Sequence, residues 1–138
     1  MILKRVALDG DFHVGSQMGL DDVETLKAEG FTMVINNRPD HEVDDQPSAA
    51  DLETACKAAG MEYAHVPISR GISPADVAAE CAAIEKAGSA KTFAFCRSGT
   101  RSTLLWALAH HEKGRSIDEL KEKASEAGYS LDPINHLL

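Results

Sequence analysis

The sequence has too few cysteines, in the wrong spacing, to build a disulfide framework or a metal centre. Its three cysteines form no C-x-x-C pair and no Cys/His ligand pattern, and none of the six histidines belongs to an H-x-x-x-H pattern. An odd number of cysteines is also typical of a reducing compartment. We therefore expect no metal, no cofactor, and a fold that is stable without disulfides.

Long apolar runs and positive charge are also missing. No stretch approaches the ~20 apolar residues that span a bilayer, and residues 1–5 are too few for a signal peptide. A net charge of −8 argues against nucleic acids and anionic membranes as partners, since both need an extended basic surface. These absences predict a cytoplasmic protein, and a length of 138 residues predicts one domain over 1–138.

What the sequence does contain is a regular alternation of helix and strand signals. Five segments rich in Ala, Glu, Lys and Leu each run into a glycine, the preferred residue just past a helix end. These glycines are Gly30, Gly60, Gly88, Gly114 and Gly128. N-cap patterns begin at Ser48, Ser73 and Ser116. Short runs rich in β-formers lie at 6–8, 12–14, 31–36, 61–68 and 92–96. The alternation predicts an α/β fold with a central, mostly parallel sheet of four to five strands flanked by about five helices.

The most informative stretch is 93–102, which reads Phe-Ala-Phe-Cys-Arg-Ser-Gly-Thr-Arg-Ser. A strand ends at a cysteine, and a basic turn containing glycine then opens a helix. Backbone N–H groups of such a turn, the positive end of the helix, and Arg97 and Arg101 all favour negative charge there. We expect Cys96 to be a thiolate nucleophile at the floor of an anion-binding loop. Residues 96–102 are called the cysteine loop below.

The other residues of the cysteine loop are candidates for anion binding. Ser98 and Thr100 would donate hydrogen bonds to the anion or the thiolate, or satisfy only the backbone of the loop. Ser102 is expected at the N-cap of the helix, with its hydroxyl facing the thiolate. Gly99 is expected to have a positive φ, because a tight turn with inward-pointing N–H groups requires it.

Two further arginines, Arg38 and Arg70, follow other predicted strands. Ligands of open α/β sheets bind at the carboxyl ends of the strands, and four of the six arginines would meet there. This predicts a small anionic substrate. Alternatively, Arg38 and Arg70 pair with the acidic loop around Asp44 and Asp45.

The cysteine loop resembles the active loop of rhodanese-type sulfurtransferases. In these enzymes four residues separate the cysteine from the final arginine, whereas cysteine-dependent phosphatases have five. Four residues separate Cys96 from Arg101 here, and Ser102 stands where the phosphatase arginine would be. A shorter loop forms a tighter ring of N–H donors, which suits a persulfide or a small sulfur oxyanion better than a phosphate monoester.

From residue 26 to residue 109, the rest of the chain resembles a compact dual-specificity phosphatase. The resemblance lies in the order of three segments, which are 29–39, 59–68 and the cysteine loop. That body combined with a rhodanese-like loop is similar to one bacterial family, the beta-lactamase-hydrolase-like proteins with a phosphatase-like domain. The similarity includes Val-Gly-Ser-Gln at 14–17. The resemblance implies a cysteine-phosphatase-like fold, and members of the family are described as phosphatases or as sulfur transferases.

One departure from the phosphatase pattern concerns the general acid. Compact phosphatases carry an aspartate in the loop after the strand that corresponds to 61–68, but this chain has Ser-Arg-Gly at 69–71. Without this general acid, phosphate-ester cleavage would be slower by a factor of roughly 10²–10⁴. Other candidate acids are Asp76, whose place is explained by helix capping, and three residues of the acidic loop: Asp40, Asp44 and Asp45.

We therefore expect a sulfurtransferase that carries sulfane sulfur as a Cys96 persulfide, with thiosulfate or a persulfide as donor. A sulfide-oxidising protein is a candidate partner, and the oligomeric state stays open. The first alternative is a phosphatase that hydrolyses phosphate esters through a phosphocysteine. The second is a non-catalytic sensor of anions or oxidants, because an exposed thiolate also forms sulfenic acid.

Overall fold

A five-stranded sheet forms the centre of the molecule in the computed structural model, which describes residues 3–138. Its strands are Arg5–Asp9 (β1), Phe12–Gly15 (β2), Met33–Asn36 (β3), Glu62–His65 (β4) and Thr92–Phe95 (β5). They lie in the order β1-β2-β5-β3-β4, and only the β1–β2 pair is antiparallel. The predicted, mostly parallel α/β sheet is therefore confirmed, although β3, β4 and β5 are shorter than the apolar runs that indicated them.

In the described part of the chain, five α-helices cover the sheet, as the alternation predicts. They are Asp22–Ala28 (α1), Ala49–Ala58 (α2), Pro74–Ala87 (α3), Thr100–Glu112 (α4) and Ile117–Glu126 (α5). Ser48, Ser73 and Ser116 each accept the backbone N–H three residues on. A 3₁₀-helix at Asp132–Leu137 was not predicted. Within residues 3–138, no helix is both long and apolar enough to cross a membrane.

Alternate residues of the central strands pack on opposite faces of the sheet, as the pleat of a strand requires. On β5, Ala94 belongs to the core cluster that contains Leu105 of α4. Phe93 and Phe95 belong to the cluster that contains Leu52 of α2. Every residue of β3 and β5 is buried, because helices cover both faces.

The α4 helix supports the cysteine loop from within the core. Its residues from Ser102 to Ala109 are all buried, and the helix begins shortly after β5 ends. Tight packing on all sides holds such a helix in one position. Cys96 therefore lies between a central strand and a buried helix, at the carboxyl edge of the sheet.

Candidate active site

Cys96 is held at the floor of the cysteine loop, next to the end of β2. The residue is 1% exposed, and its backbone N–H donates to the carbonyl of Gly15 at 3.4 Å. Its Sγ accepts the backbone N–H of Gly99 at 3.1 Å. An N–H group aimed at sulfur stabilises negative charge there. The geometry is thus compatible with the thiolate that the sequence predicts.

Gly99 has the positive φ that the sequence predicts, at 94°. A Cβ added to Gly99 would lie 2.9 Å from Cζ of Tyr129 and 3.3 Å from the carbonyl oxygen of Gly15. Both the backbone conformation and the lack of space therefore require glycine.

The expectation that Ser102 caps α4 is wrong. The helix begins at Thr100 with Gly99 as its N-cap, and Ser102 lies buried in the first turn. Its hydroxyl has no hydrogen-bond partner among the residues that the structure describes. The left-handed conformation of Gly99 allows the helix to begin earlier than the serine suggests.

The hydroxyls of Ser98 and Thr100, two other residues of the cysteine loop, form a hydrogen bond to each other at 3.1 Å.

Arg101 points from the first turn of α4 to Glu42, a residue that sequence analysis did not single out. Its Nη1 and Nη2 donate to the two carboxylate oxygens at 2.7 and 2.9 Å, and Nη1 also donates to the carbonyl of Ile68 at 2.8 Å. Hydrogen bonding to Glu42 is the largest cause that raises the pKa of Arg101, and the charge of Cys96 raises it further. Arg101 is thus fixed within the electrostatic reach of the sulfur.

Glu42 also holds Arg38, which lies at the end of β3. Arg38 is 3% exposed, and its Nε donates to Glu42 Oε1 at 2.8 Å while Nη1 donates to Gln17 Oε1 at 3.0 Å. The hydrogen bond from Arg101 is the largest cause that lowers the pKa of Glu42, to about 2, so this carboxylate is ionised at neutral pH. Arg38 therefore pairs with the acidic loop, as the alternative interpretation expected, but through Glu42 and not through Asp44 or Asp45.

Arg70 and Arg97 lie exposed near the same edge of the sheet. Within residues 3–138, neither forms an ion pair. Their charge is available to an anion that approaches from solvent, whereas the charge of Arg38 and Arg101 is shared with Glu42.

Two of the four candidate acids have structural partners. Asp40 Oδ1 accepts the N–H of Ala49 at 2.7 Å, at the start of α2. Asp76 Oδ2 accepts the N–H of Ser73 at 2.9 Å, in the capping box of α3. Asp44 and Asp45 lie exposed in the acidic loop. Their role as acids stays a prediction.

A cavity of about 410 Å³ lies beside Arg101. Most of its wall is apolar, from Ile68, Ile72, Leu104 and Ile134. The last of these comes from the unpredicted 3₁₀-helix, so no sequence pattern indicates this cavity.

Tyr129 is the other residue that sequence analysis missed. Its hydroxyl donates to the carbonyl of Ser98 at 2.9 Å, although 31 positions separate them. No local pattern indicates such a contact. Glu42 lies only four residues after Arg38, but residues 38–42 are not helical, so the helical i,i+4 rule for ion pairs does not indicate this contact either.

The chain matches the family model described as "Beta-lactamase hydrolase-like protein, phosphatase-like domain" over residues 5–112. A beta-lactamase hydrolase-like protein of Agrobacterium fabrum is 34% identical over 131 residues, which cover 94% of this chain and 30% of that protein. One from Xylella fastidiosa (strain Temecula1) is 30% identical with the same coverage. The chain thus spans about a third of the length of the curated relatives it matches.

Solved structures with this fold include several phosphatases. A Neisseria meningitidis protein, provisionally named a phosphatase, is 29% identical with a TM-score of 0.78, covering 96% of this chain and 94% of that one. Kinase associated phosphatase, solved with its catalytic-site cysteine replaced by serine, is 16% identical with a TM-score of 0.73, covering 93% and 84%. Because kinase associated phosphatase is only 16% identical, its similarity to this chain concerns the fold alone.

Proposed function

The chain belongs to the family of the beta-lactamase hydrolase-like protein, phosphatase-like domain, and from this premise we propose that it hydrolyses phosphoric monoesters through a phosphocysteine on Cys96. One observation carries the proposal. The Cys96 sulfur accepts the N–H of Gly99 at 3.1 Å, with Arg101 on the first turn of the following helix. The phosphatase-like family and the similarity to the Neisseria meningitidis protein support this reaction over the sulfur transfer that the sequence placed first.

The proposed reaction has two displacements at phosphorus. In the first, the Cys96 thiolate attacks phosphorus, the S–P bond forms, and the ester P–O bond breaks with its electron pair on the leaving oxygen. In the second, water attacks phosphorus, the S–P bond breaks, and inorganic phosphate and the thiolate are released. Loop N–H groups and Arg101 offset the negative charge of the phosphoryl oxygens in both steps.

The acids around the site limit the range of leaving groups. Glu42 is ionised, since its pKa is about 2, and Asp40 and Asp76 are engaged at helix starts. Residues 69–71 contain no carboxyl group. Because a leaving oxygen that is stable as an anion needs no proton donor, we expect esters of phenols or other acidic hydroxyls to react, and esters of simple alcohols to react poorly.

The cavity beside Arg101 supports the same class of substrate. Its volume of about 410 Å³ lies within the range of small-molecule pockets. An aryl group lying against Ile72 and Leu104 would leave its phosphate on the side of Arg101. The proposed substrate is therefore an aryl phosphate or a similar ester with an apolar leaving group.

Sulfur transfer is the second candidate, and two observations favour it. Four residues separate Cys96 from Arg101, and the loop after β4 lacks a carboxyl group. In this reaction the thiolate attacks the outer sulfur of thiosulfate, the new S–S bond forms, and sulfite leaves with the electron pair of the broken S–S bond. An acceptor thiolate then attacks the outer sulfur of the Cys96 persulfide. Neither leaving group requires protonation.

One experiment separates these functions. The protein is incubated with p-nitrophenyl phosphate or with thiosulfate, and turnover is measured together with the mass of the intact protein. Phosphatase function predicts release of p-nitrophenol, with loss of turnover in Cys96→Ala. The matched control is Cys81→Ala, which removes a half-buried free cysteine on α3 and should keep full activity.

Gain of one sulfur from thiosulfate, discharged by added thiol and absent in Cys96→Ala, together with no release of p-nitrophenol, would overturn the proposal in favour of sulfur transfer. If neither product forms and Cys96 reacts only with peroxide, both enzymatic functions are overturned and the non-catalytic sensor is favoured.

A further inference from the structure

One peptide group of the cysteine loop is held from both sides. The carbonyl of Ser98 accepts a hydrogen bond from the Tyr129 hydroxyl at 2.9 Å. The N–H of Gly99, in the same peptide group, donates to Cys96 Sγ at 3.1 Å. Tyr129 is thus connected to the nucleophilic sulfur through a single peptide unit.

The geometry of the peptide bond makes this connection directional. The C=O and N–H of a trans peptide point in opposite directions in one plane. A hydrogen bond that fixes the carbonyl of Ser98 therefore also fixes the direction of the Gly99 N–H. Glycine restricts its own backbone less than any other residue, so Gly99 needs such an external contact to hold one orientation. Hydrogen bonds in series also polarise one another.

Tyr129 itself is held in place from the other side. Its backbone N–H donates to the carbonyl of Ala124 at 2.8 Å, at the end of α5, and its ring packs against the core cluster of α4. Burial is the largest cause that raises the pKa of Tyr129, and the nearby charge of Cys96 raises it further. The phenol therefore stays a hydrogen-bond donor to a higher pH than an ordinary tyrosine.

Lys4 and Arg5 line a cavity of about 400 Å³ together with Ser98 and Tyr129, and Arg101 acts on Cys96 from the first turn of α4. Arg5 is paired with Glu29. Lysine and arginine side chains keep their charge over the pH range in which a cysteine titrates. They therefore do not compete with the thiol in a titration of Cys96.

We propose that Tyr129 is a positioning residue that orients the Ser98–Gly99 peptide, so that its N–H stabilises the Cys96 thiolate. Tyr129 lies outside residues 5–112, which match the family. The proposal rests on the proposed function only in taking Cys96 as the nucleophile. It holds equally for attack on phosphorus or on sulfur.

The test replaces Tyr129 by phenylalanine, which removes the hydroxyl and keeps the ring. The rate of Cys96 alkylation by iodoacetamide is measured between pH 5 and pH 10 on the proteolytic peptide that contains Cys96. Burial raises the pKa of Cys56 to about 11 and also raises that of Cys81, so neither competes at neutral pH. We expect Tyr129→Phe to slow alkylation about two- to tenfold near pH 6–7, the equivalent of one hydrogen bond, and to match the wild type above pH 9.

Tyr63→Phe is the matched control, because it removes the other tyrosine hydroxyl of the chain. That hydroxyl accepts from Asn36 Nδ2 at 2.9 Å, on the far side of β3. Thermal melting checks that both variants are folded. An alkylation profile of Tyr129→Phe that coincides with the wild type at all pH values would overturn the proposal, as would an equal shift in Tyr63→Phe. Because alkylation needs no turnover, the result is independent of which substrate the enzyme uses.

Discussion

Glu42 and Arg101 form a two-point ion pair, with Nη1–Oε2 and Nη2–Oε1 distances of 2.7 and 2.9 Å. It joins the acidic loop to the first turn of α4. The same carboxylate accepts from Arg38 at 2.8 Å, so one acidic residue fixes two arginines at the carboxyl edge of the sheet. The orientation of Arg101 toward the cysteine loop therefore depends on Glu42.

Replacing Glu42 by glutamine tests this dependence. Glutamine keeps the shape but makes weaker, uncharged hydrogen bonds, so Arg101 should lose its fixed orientation. We expect kcat for p-nitrophenyl phosphate to fall about tenfold, the effect of a lost charged hydrogen bond on alignment. KM should stay equal or decrease, because the site becomes more positive.

The control for this change is Glu53→Gln, which breaks the exposed pair with Lys57 on α2 and should leave both constants unchanged. An unaltered kcat in Glu42→Gln would mean that Arg101 is oriented without its carboxylate partner.

Replacing Gly99 by alanine should disable the site while the fold is retained. The added methyl would displace the Tyr129 ring, whose Cζ would lie only 2.9 Å from the new Cβ, and alanine disfavours a φ of 94°. Tilting of the Ser98–Gly99 peptide should lower kcat/KM for p-nitrophenyl phosphate at least about tenfold, since one N–H donor to a developing charge is worth this much or more.

Gly60→Ala separates backbone strain from the effect on the site. Gly60 also has a positive φ, of 83°, but a Cβ added there would meet nothing within 4 Å. This control should lose stability through backbone strain alone and keep its activity per folded molecule. Full activity in Gly99→Ala would show that the loop does not depend on this peptide.

Local sequence signals were sufficient for the elements and for the cysteine loop. Glycine after each helix, the serine caps and the strand ending at Cys96 all act over a few residues, so composition and spacing reveal them. The N-cap of α4 was misplaced because the conformation of Gly99 overrides the serine preference at Ser102. Chain folding brings Glu42 and Tyr129 to the loop from 59 and 31 positions away, and no local pattern specifies these contacts.

Glu80 should make the stability of the protein depend on pH. This glutamate on α3 is fully buried and accepts from Asn37 Nδ2 at 3.1 Å, and burial raises its pKa to about 7. A folded-state pKa above the unfolded value of 4.5 means that the neutral form stabilises the fold. Its contribution is complete below pH 4.5 and is lost as the pH rises to about 7.

Glu80→Gln replaces the carboxyl group by an amide that does not titrate. The side-chain oxygen that accepts from Asn37 Nδ2 is kept. Urea unfolding at several pH values should show that the variant gains stability relative to the wild type between pH 4.5 and pH 7. A constant difference over this range would show that the pKa of Glu80 is the same in the folded and the unfolded protein.

The proposed preference for acidic leaving groups requires that neither Asp44 nor Asp45, the two exposed candidate acids, donates a proton to the leaving group. Asp44→Asn and Asp45→Asn are each expected to keep the wild-type kcat for both p-nitrophenyl phosphate and a simple alkyl phosphate, measured by release of inorganic phosphate. A loss of roughly 10²–10⁴, larger for the alkyl ester than for the aryl ester, would identify a general acid.

Replacing Ile72 by alanine should weaken the binding of aryl substrates selectively. Ile72 lines the cavity beside Arg101, and its truncation removes apolar contact worth about 0.8 kcal/mol per methylene, or about fourfold. KM for 1-naphthyl phosphate should therefore rise about four- to tenfold. KM for acetyl phosphate, an acyl phosphate, should not change, because its leaving group acetate also needs no proton donor but has no large apolar part. Ile84→Ala is the matched control, since Ile84 lies on α3 and lines a cavity that shares no residue with the one beside Arg101. Equal increases in KM for both substrates would show that Ile72 supports the anion site itself and not an aryl-binding cavity.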